Sequence, residues 1–177
     1  MIDLLIVGTS LDPDSRSQHF ARIAFENAKT LNMNPELIDL RDLELPIAGP
    51  EGSWDDPRVQ ALKTRVGRFR RVLLCVPIYN YDVNAAAKNF VELVGGKWLE
   101  GAVVGFACTA GVRASYMSVM GFANALQLDF GTWIVPRFVY ATDNEWNGDD
   151  PGEKIQQRIH GLLESLRDGP MRADERG

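Results

Sequence analysis

Residues Gly8–Phe20 read GTSLDPDSRSQHF and follow the apolar run IDLLIV. Four hydroxyls (Thr9, Ser10, Ser15, Ser17) and one guanidinium, Arg16, therefore gather where a strand ends and a helix begins. Two chemistries fit. Ser15 and Gln18 have the spacing of a capping box, in which Ser15 accepts from the third helical amide and Gln18 reaches back. The other is an anion resting on the free amides of the first turn, where amides and helix dipole both favour negative charge. Capping alone leaves Arg16 unexplained, because a cation at a helix N-terminus is disfavoured by roughly 0.3 kcal/mol or more. It also leaves more hydroxyls than one cap uses. Asp12 and Asp14 weigh against the anion: either is a candidate partner for Arg16, and both repel a phosphate unless turned outward. The loop lacks the lysine of a Walker phosphate loop and is not G-x-G-x-x-G.

The elements that must position this loop follow from short apolar runs alternating with helical periodicity. Strands are expected at Ile2–Val7, Glu36–Leu40, Arg71–Val76, Ala102–Cys108 and Thr132–Tyr140. Helical faces are marked by Phe20, Ile23, Ala24, Ala28 and Leu31, then by Val59, Leu62, Val66 and Phe69. Further faces run through Val83, Phe90 and Val94, through Tyr116, Val119, Ala123 and Leu126, and through Ile155, Ile159, Leu162 and Leu166. Asp56-Pro57 and Asp150-Pro151 read as a cap followed by proline at the first helical position. Strands apolar along their whole length imply a parallel sheet covered on both faces. The expected fold is therefore an α/β three-layer sandwich, a five-stranded parallel sheet in the order 2-1-3-4-5 between helices. One domain, 1–168, is expected, with Asn144–Asp150 a surface loop and 169–177 a frayed tail.

In such a sheet ligands sit beyond the carboxyl ends of the strands, at the switch in strand order. The loops after the first, third and fourth strands read GTSLDPDSRSQ, PIYNYDVN and TAGVRAS.

With 177 residues, 45% of them apolar and 24% charged, the chain has the composition of an ordinary globular domain. A net charge of −5 without a basic cluster argues against nucleic-acid binding. Cys75 and Cys108 lie in apolar runs and read as buried thiols of a reducing compartment. The N-terminal apolar run is too short for a signal peptide or membrane span, so a cytoplasmic protein is expected. Cys108 and Arg113 are one residue too close for a C-x5-R phosphatase loop, no G-x-S-x-G is present, and no Cys/His spacing suits a metal. His19 and His160 read as surface or packing residues, so no catalytic side chain is assigned.

Taken together, GTS…SRS, IDLRDLELPI, VPIYNYDVNAAAKNF and TAGVRAS resemble the flavodoxin-like NAD(P)H-dependent FMN reductases, the family that also holds quinone, azo-dye and chromate reductases. The resemblance spans about residues 2–140. It implies that FMN phosphate binds at Thr9, Ser10, Ser15, Arg16, Ser17 and Gln18. It implies that the isoalloxazine ring lies against Pro77, Ile78, Tyr79 and Asn80, with Thr109, Ala110 and Gly111 along its pyrimidine side. The chain departs from the family in three places: Leu11 stands where many members have arginine, Ile78 replaces a common glutamate, and the third loop has one glycine.

The implied reaction passes a hydride from NADPH or NADH to flavin N5 and then electrons to a small acceptor, free flavin or a quinone. The flavin carries the chemistry, so no His or carboxylate base is required. Arg113 is a candidate contact for nicotinamide phosphates. An FMN-binding electron carrier without nicotinamide turnover is the alternative, although the G-T-x-T-G-N-T loop of electron-carrier flavodoxins is absent. A domain without cofactor is a third reading, for which Leu11, Asp12 and Asp14 speak. The resemblance further implies a homodimer or homotetramer built near NAAAKNF, with Phe90, Trp98 and Trp133 as interface candidates.

Overall fold

Along the inner strands residues 4–8, 71–78 and 103–109 are all buried, because each face of the sheet has its own helical layer. In the computed structural model, which describes residues 2–170, the elements run as follows. They are β1 (Ile2–Gly8), α1 (Arg16–Thr30), β2 (Met33–Asp39), α2 (Pro57–Val66), β3 (Arg71–Tyr79), β4 (Asp82–Val83) and α3 (Ala85–Val94). Then come β5 (Val103–Ala110), α4 (Val119–Phe130), β6 (Trp133–Ile134), β7 (Val139–Thr142), β8 (Trp146–Asn147), β9 (Asp150–Pro151) and α5 (Glu153–Arg167).

Side chains alternate across the sheet, and each parity finds a separate core. Leu5, Val7, Val72, Leu74 and Val76 pack with α2, α3 and α4, through Leu62, Phe90 and Phe122. Leu4, Ile6, Leu73 and Cys75 pack with α1 and α5, through Phe20, Ala24, Ile159 and Leu162. Burial on both faces accounts for the continuous apolar runs of the sequence.

The strand order is β2-β1-β3-β5, followed on the far edge of β5 by β6 and β7, all parallel. This is the expected 2-1-3-4-5 order with its last strand in two pieces. Val103 and Val104 pair with Trp133 and Ile134, while Ala107–Ala110 pair with Val139–Thr142. The single strand expected over Thr132–Tyr140 is interrupted because Pro136 has no N–H to give to the ladder.

Other boundaries move for local reasons. The second strand starts earlier, at Met33, and tolerates Pro35 because β2 is an edge. The third strand does not stop at Pro77 but runs to Tyr79. The Cys75 carbonyl faces β1, where it accepts from the Thr9 amide, and Pro77, two residues on, faces the same way. The β1–β3 pairing ends at Cys75, so the missing donor of Pro77 costs nothing there. Val83 belongs to β4, and α3 starts at Ala85. Helix α4 starts at Val119, after a 3-10 turn at Arg113–Ser115.

Asp56 caps α2 as expected, accepting from the Arg58 amide ahead of Pro57. Asp150-Pro151 does not open α5; it forms β9, paired with β8, and Gly152 is the N-cap. The expected loop Asn144–Asp150 is thus partly a hairpin. Phe90 and Trp98, 1% and 6% exposed, belong to this chain's own core and not to an interface, whereas Trp133 is exposed. Of the expected tail, residues 171–177 lie outside the described residues. Among the described residues no helix is long and apolar enough to cross a membrane.

Candidate functional site

Parallel pairing brings the loops after β1, β3 and β5 to one end of the sheet. Gly8 lies beside Cys75, Pro77 beside Thr109, and Ala110 beside Thr142.

The first loop is braced from three directions. Thr9 is fully buried; its amide donates to the Cys75 carbonyl at 3.0 Å, and its carbonyl accepts from Asn84 Nδ2 at 2.7 Å. The Thr9 hydroxyl lies 2.7 Å from Asn84 Oδ1 and 3.1 Å from the Cys75 carbonyl oxygen, so its proton is engaged within the protein. Gln18 does not close a capping box. Its Nε2 donates to the Ser10 carbonyl at 2.9 Å and to Asp39 Oδ1 at 3.0 Å. Arg41 grips Asp39 through its side chain and donates from Nη1 to the Pro13 carbonyl at 3.1 Å. Burial raises the Asp39 pKa, and the Arg41 hydrogen bonds and charge more than reverse this, holding the carboxyl below its ordinary value.

Ser15 is the N-cap of α1. Its Oγ accepts from the Ser17 amide at 3.2 Å and lies 2.8 Å from Ser17 Oγ. Ser10 Oγ accepts from the Asp12 amide at 3.2 Å, and Asp12 Oδ1 accepts from the Asp14 amide at 3.0 Å. The amides of Ser10, Leu11 and Arg16 have no hydrogen-bond partner among the described residues. The loop therefore leaves unpaired donors next to the positive end of a helix dipole. Neither Asp12 nor Asp14 pairs with Arg16. Its partner is Asp143, just beyond β7, and its guanidinium also lies 5.5 Å from the Trp146 ring centroid.

The second loop is a tight hairpin. Ile78 pairs with Val83 and Tyr79 with Asp82, leaving Asn80 and Tyr81 as a two-residue turn with φ of 51° and 63°. These are the left-handed angles of a type I′ turn, which favours Asn-Gly. A non-glycine residue pays roughly 1–2 kcal/mol there, less for asparagine. Tyr79 and Tyr81 are exposed, and Ile78 is buried. Asn84 follows at the N-cap of α3 without capping it, because its carboxamide is spent on Thr9.

In the third loop Thr109 is 8% exposed and Gly111 lies open. A Cβ on Gly111 would meet only Asp143 Oδ2, at 3.8 Å, leaving backbone room on that side. The loop is held by Tyr140, whose hydroxyl donates to the Val112 carbonyl at 3.0 Å and also meets Ser115 Oγ. Burial pushes the Tyr140 phenol up. Arg113 approaches Glu145 at 3.5 Å. Burial raises Glu145, but hydrogen bonds from the Thr142 amide and hydroxyl and the Arg113 charge bring it below the ordinary carboxylate value.

The structure thus brings Thr9, Ser10, Ser15, Arg16, Ser17 and Gln18 into one braced loop. Pro77, Ile78, Tyr79 and Asn80 stand beside it, and Thr109, Ala110 and Gly111 flank these across the next strand. Within the first group the Thr9 hydroxyl and Gln18 Nε2 are engaged internally. Four positions escaped the sequence reading. Gly8 abuts Gln18, Asn84 looks locally like a cap, Trp146 comes from the segment read as plain loop, and Asp143 stands just before it. Trp146 stacks on Phe20 with centroids 4.9 Å apart, seating the β8–β9 hairpin against α1. Cys108 is fully buried, far from the exposed amide cradle a nucleophile needs. No cluster of three or more His, Cys, Asp or Glu suited to a metal occurs among the described residues.

Comparison with known proteins gives the family and the fold. Residues 2–147 match the family model described as NADPH-dependent FMN reductase. A curated relative, FMN-dependent NADH:quinone oxidoreductase 1 of Mesoplasma florum, is 28% identical over 104 residues, 53% of this chain and 52% of the relative. The chain thus spans about half the length of the curated relative it matches. Among solved structures, an NADH:FMN oxidoreductase in apo form superposes with a TM-score of 0.82 at 13% identity, covering 99% of this chain and 94% of the other. A flavoenzyme NAD(P)H:(acceptor) oxidoreductase from Paracoccus denitrificans gives 0.74 at 21% identity, covering 95% and 96%. An azoreductase from Bacillus anthracis in complex with FMN gives 0.65 at 13% identity, covering 94% and 98%. At these identities the structural likenesses establish the flavodoxin-like fold.

Proposed function

The chain belongs to the NADPH-dependent FMN reductase family, matched over residues 2–147, and from that premise we propose that it is an FMN-dependent oxidoreductase using NADPH or NADH. The observation that carries this reading is the first loop. It offers unpaired amides at Ser10, Leu11 and Arg16, the one hydroxyl proton that the Ser15–Ser17 hydrogen bond leaves over, and Arg16 at a helix N-terminus, a donor set suited to a phosphate monoester.

The amides of that loop, with Ser10, Ser15, Ser17 and Arg16, would hold the FMN phosphate. Thr9 and Gln18 shape the loop from beneath. Pro77–Asn80 and Thr109–Gly111 would take the two sides of the ring. Bound there, FMN supplies the hydride acceptor and the electron relay to a small acceptor such as free flavin or a quinone. The chain's own part is to bind and orient the flavin. Phosphate entry requires Arg16 to exchange Asp143 for the ligand. Both partners of that ion pair are partly exposed, so the exchange costs little.

A homodimer or homotetramer is proposed as well. Leu11 and Ile47 are exposed beside Ala85 and Ala86 around a groove of about 380 Å³ next to the first loop. Light scattering after size exclusion gives the copy number, and a monomer at micromolar concentration would remove this proposal.

The activity is tested by adding FMN to the purified protein, removing free flavin and titrating anaerobically with NADPH and NADH. Retained flavin absorbance that bleaches with either nicotinamide supports the proposal. A protein that retains no flavin, and that FMN does not stabilise thermally, overturns it.

A further inference from the structure

Tyr81 occupies a backbone position where glycine is the comfortable residue. It is the second residue of the Asn80-Tyr81 turn, with φ of 63°. Asn80 suits the first position of a type I′ turn, whereas the second strongly favours glycine. The flanking pairs Ile78–Val83 and Tyr79–Asp82 hold it there. Tyr81 is 65% exposed, and no hydrogen bond or ring contact engages its side chain among the described residues. Strained non-glycine residues that the surrounding structure holds in place concentrate at ligand sites.

Its location gives the exposed ring a use. The turn stands at the carboxyl end of β3, between the loops that follow β1 and β5. The loop after β3 stands beside the loop after β5, Pro77 pairing with Thr109 on the adjacent strand. Tyr140 holds the carbonyl of Val112, itself an exposed apolar residue of the loop after β5. Tyr81 and Val112 therefore lie on neighbouring rims of the end of the sheet at which the ring of FMN is proposed to bind.

We propose that Tyr81 is a specificity-determining residue, its ring the platform on which the flat, uncharged ring of a quinone-class acceptor stacks during turnover. The inference rests on the function proposed above. Aromatic rings in offset or edge contact reward planar, apolar partners beyond simple burial. The overall reaction takes NAD(P)H, a proton and a quinone to NAD(P)⁺ and a quinol, two electrons and two protons being gained by the acceptor. Tyr81 orients the acceptor and exchanges neither protons nor electrons with it.

The test compares FMN-loaded wild type, Tyr81→Gly and Tyr81→Phe, with menadione as planar acceptor and ferricyanide as a non-planar one. Tyr81→Gly is expected to raise the menadione KM about three- to tenfold and to leave the ferricyanide KM and the FMN dissociation constant unchanged. Tyr81→Phe keeps the wild-type menadione KM. Calorimetric titration of menadione into oxidised holoenzyme reads the same loss of affinity without turnover. Glycine relieves the backbone, so Tyr81→Gly is expected to melt no lower than wild type. An unchanged menadione KM and affinity in Tyr81→Gly, or an equal loss with ferricyanide, overturns this inference alone. A wild type that binds no FMN overturns the proposed function with it.

Discussion

The carboxamide of Asn84 clamps Thr9 with both of its polar atoms, Nδ2 donating to the Thr9 carbonyl and Oδ1 accepting from the Thr9 hydroxyl, each at 2.7 Å. Both residues are buried, and they stand 75 positions apart in sequence. This clamp ties the start of the first loop to the start of α3, and so fixes the first loop relative to the hairpin after β3. Asn84→Ala would leave the buried Thr9 carbonyl without a donor, and is expected to lower stability by roughly 1–3 kcal/mol. Asn84→Asp keeps the size but places an acceptor against the carbonyl, so it should lose at least as much. Urea denaturation of the FMN-free protein measures both, and variants as stable as wild type would show that the clamp is dispensable.

Gly8 is required by Gln18. A Cβ at position 8 would fall 2.0 Å from Gln18 Oε1, and that side chain is 3% exposed and pinned by Ser10 and Asp39. Gly8→Ala must therefore expel the carboxamide, at a cost of roughly 1–3 kcal/mol from overpacking and lost hydrogen bonds. Gln18→Ala makes room for the methyl group. The double variant should be more stable than the sum of the single losses predicts, a coupling read from thermal or chemical denaturation. Strict additivity would contradict the steric account.

Arg16 separates ligand binding from folding. Its pair with Asp143 is partly exposed on both sides, so Arg16→Ala should change the stability of the FMN-free protein by no more than about 1 kcal/mol. If Arg16 makes a charge-assisted bond to the phosphate, FMN binding should weaken by roughly 1–3 kcal/mol. Quenching of flavin fluorescence supplies the affinity. Equal FMN affinity in wild type and variant would assign Arg16 to the surface pair alone.

What the sequence made legible divides along physical lines. The apolar strands and helix periodicities of Leu4–Val7, Val72–Val76 and Phe20–Ala28 are decided by local burial pattern, and these elements appear where periodicity placed them. The gathering of the three loops follows from parallel pairing and right-handed crossovers alone. Side-chain destinations were less accessible. Gln18 had the spacing of a capping partner, but a buried carbonyl at Ser10 and a carboxylate at Asp39 outbid the local amide. Arg16 pairs with Asp143 and with neither nearer aspartate, the Asp12 carboxylate being turned back onto the Asp14 amide. The break at Pro136 was visible as a residue, though its consequence depended on which edge of β5 the strand would join.

Cys75 and Cys108 should be inert in the native protein. Both are fully buried on neighbouring strands, and burial pushes each thiol well above its ordinary pKa. They cannot join, because Cys75 faces the α1–α5 core and Cys108 the opposite one. Ellman's reagent at pH 8 is expected to titrate neither thiol in folded protein and both in 6 M guanidinium. Rapid labelling without denaturant would place at least one of them nearer the surface.

Asp39 makes stability depend on acid in a defined direction. Its carboxyl accepts from Gln18 Nε2, the Arg41 amide and the Arg41 guanidinium, and is held below its ordinary value although burial alone would raise it. A folded pKa beneath the unfolded one means that the unfolded chain binds more protons as acid is added. The contribution of Asp39 is therefore complete above the unfolded pKa of about 3.9 and is lost as pH falls through the lower folded value. Asp39→Asn should cost roughly 1–3 kcal/mol at pH 7, since Arg41 and Gln18 both lose a charged acceptor. The gap between wild type and Asp39→Asn should hold from pH 7 to about pH 5 and then narrow below about pH 4. Denaturation midpoints across that range decide the matter: a gap of constant size down to pH 3 would mean that the wild-type carboxylate never takes up the proton whose exclusion stabilises the first loop.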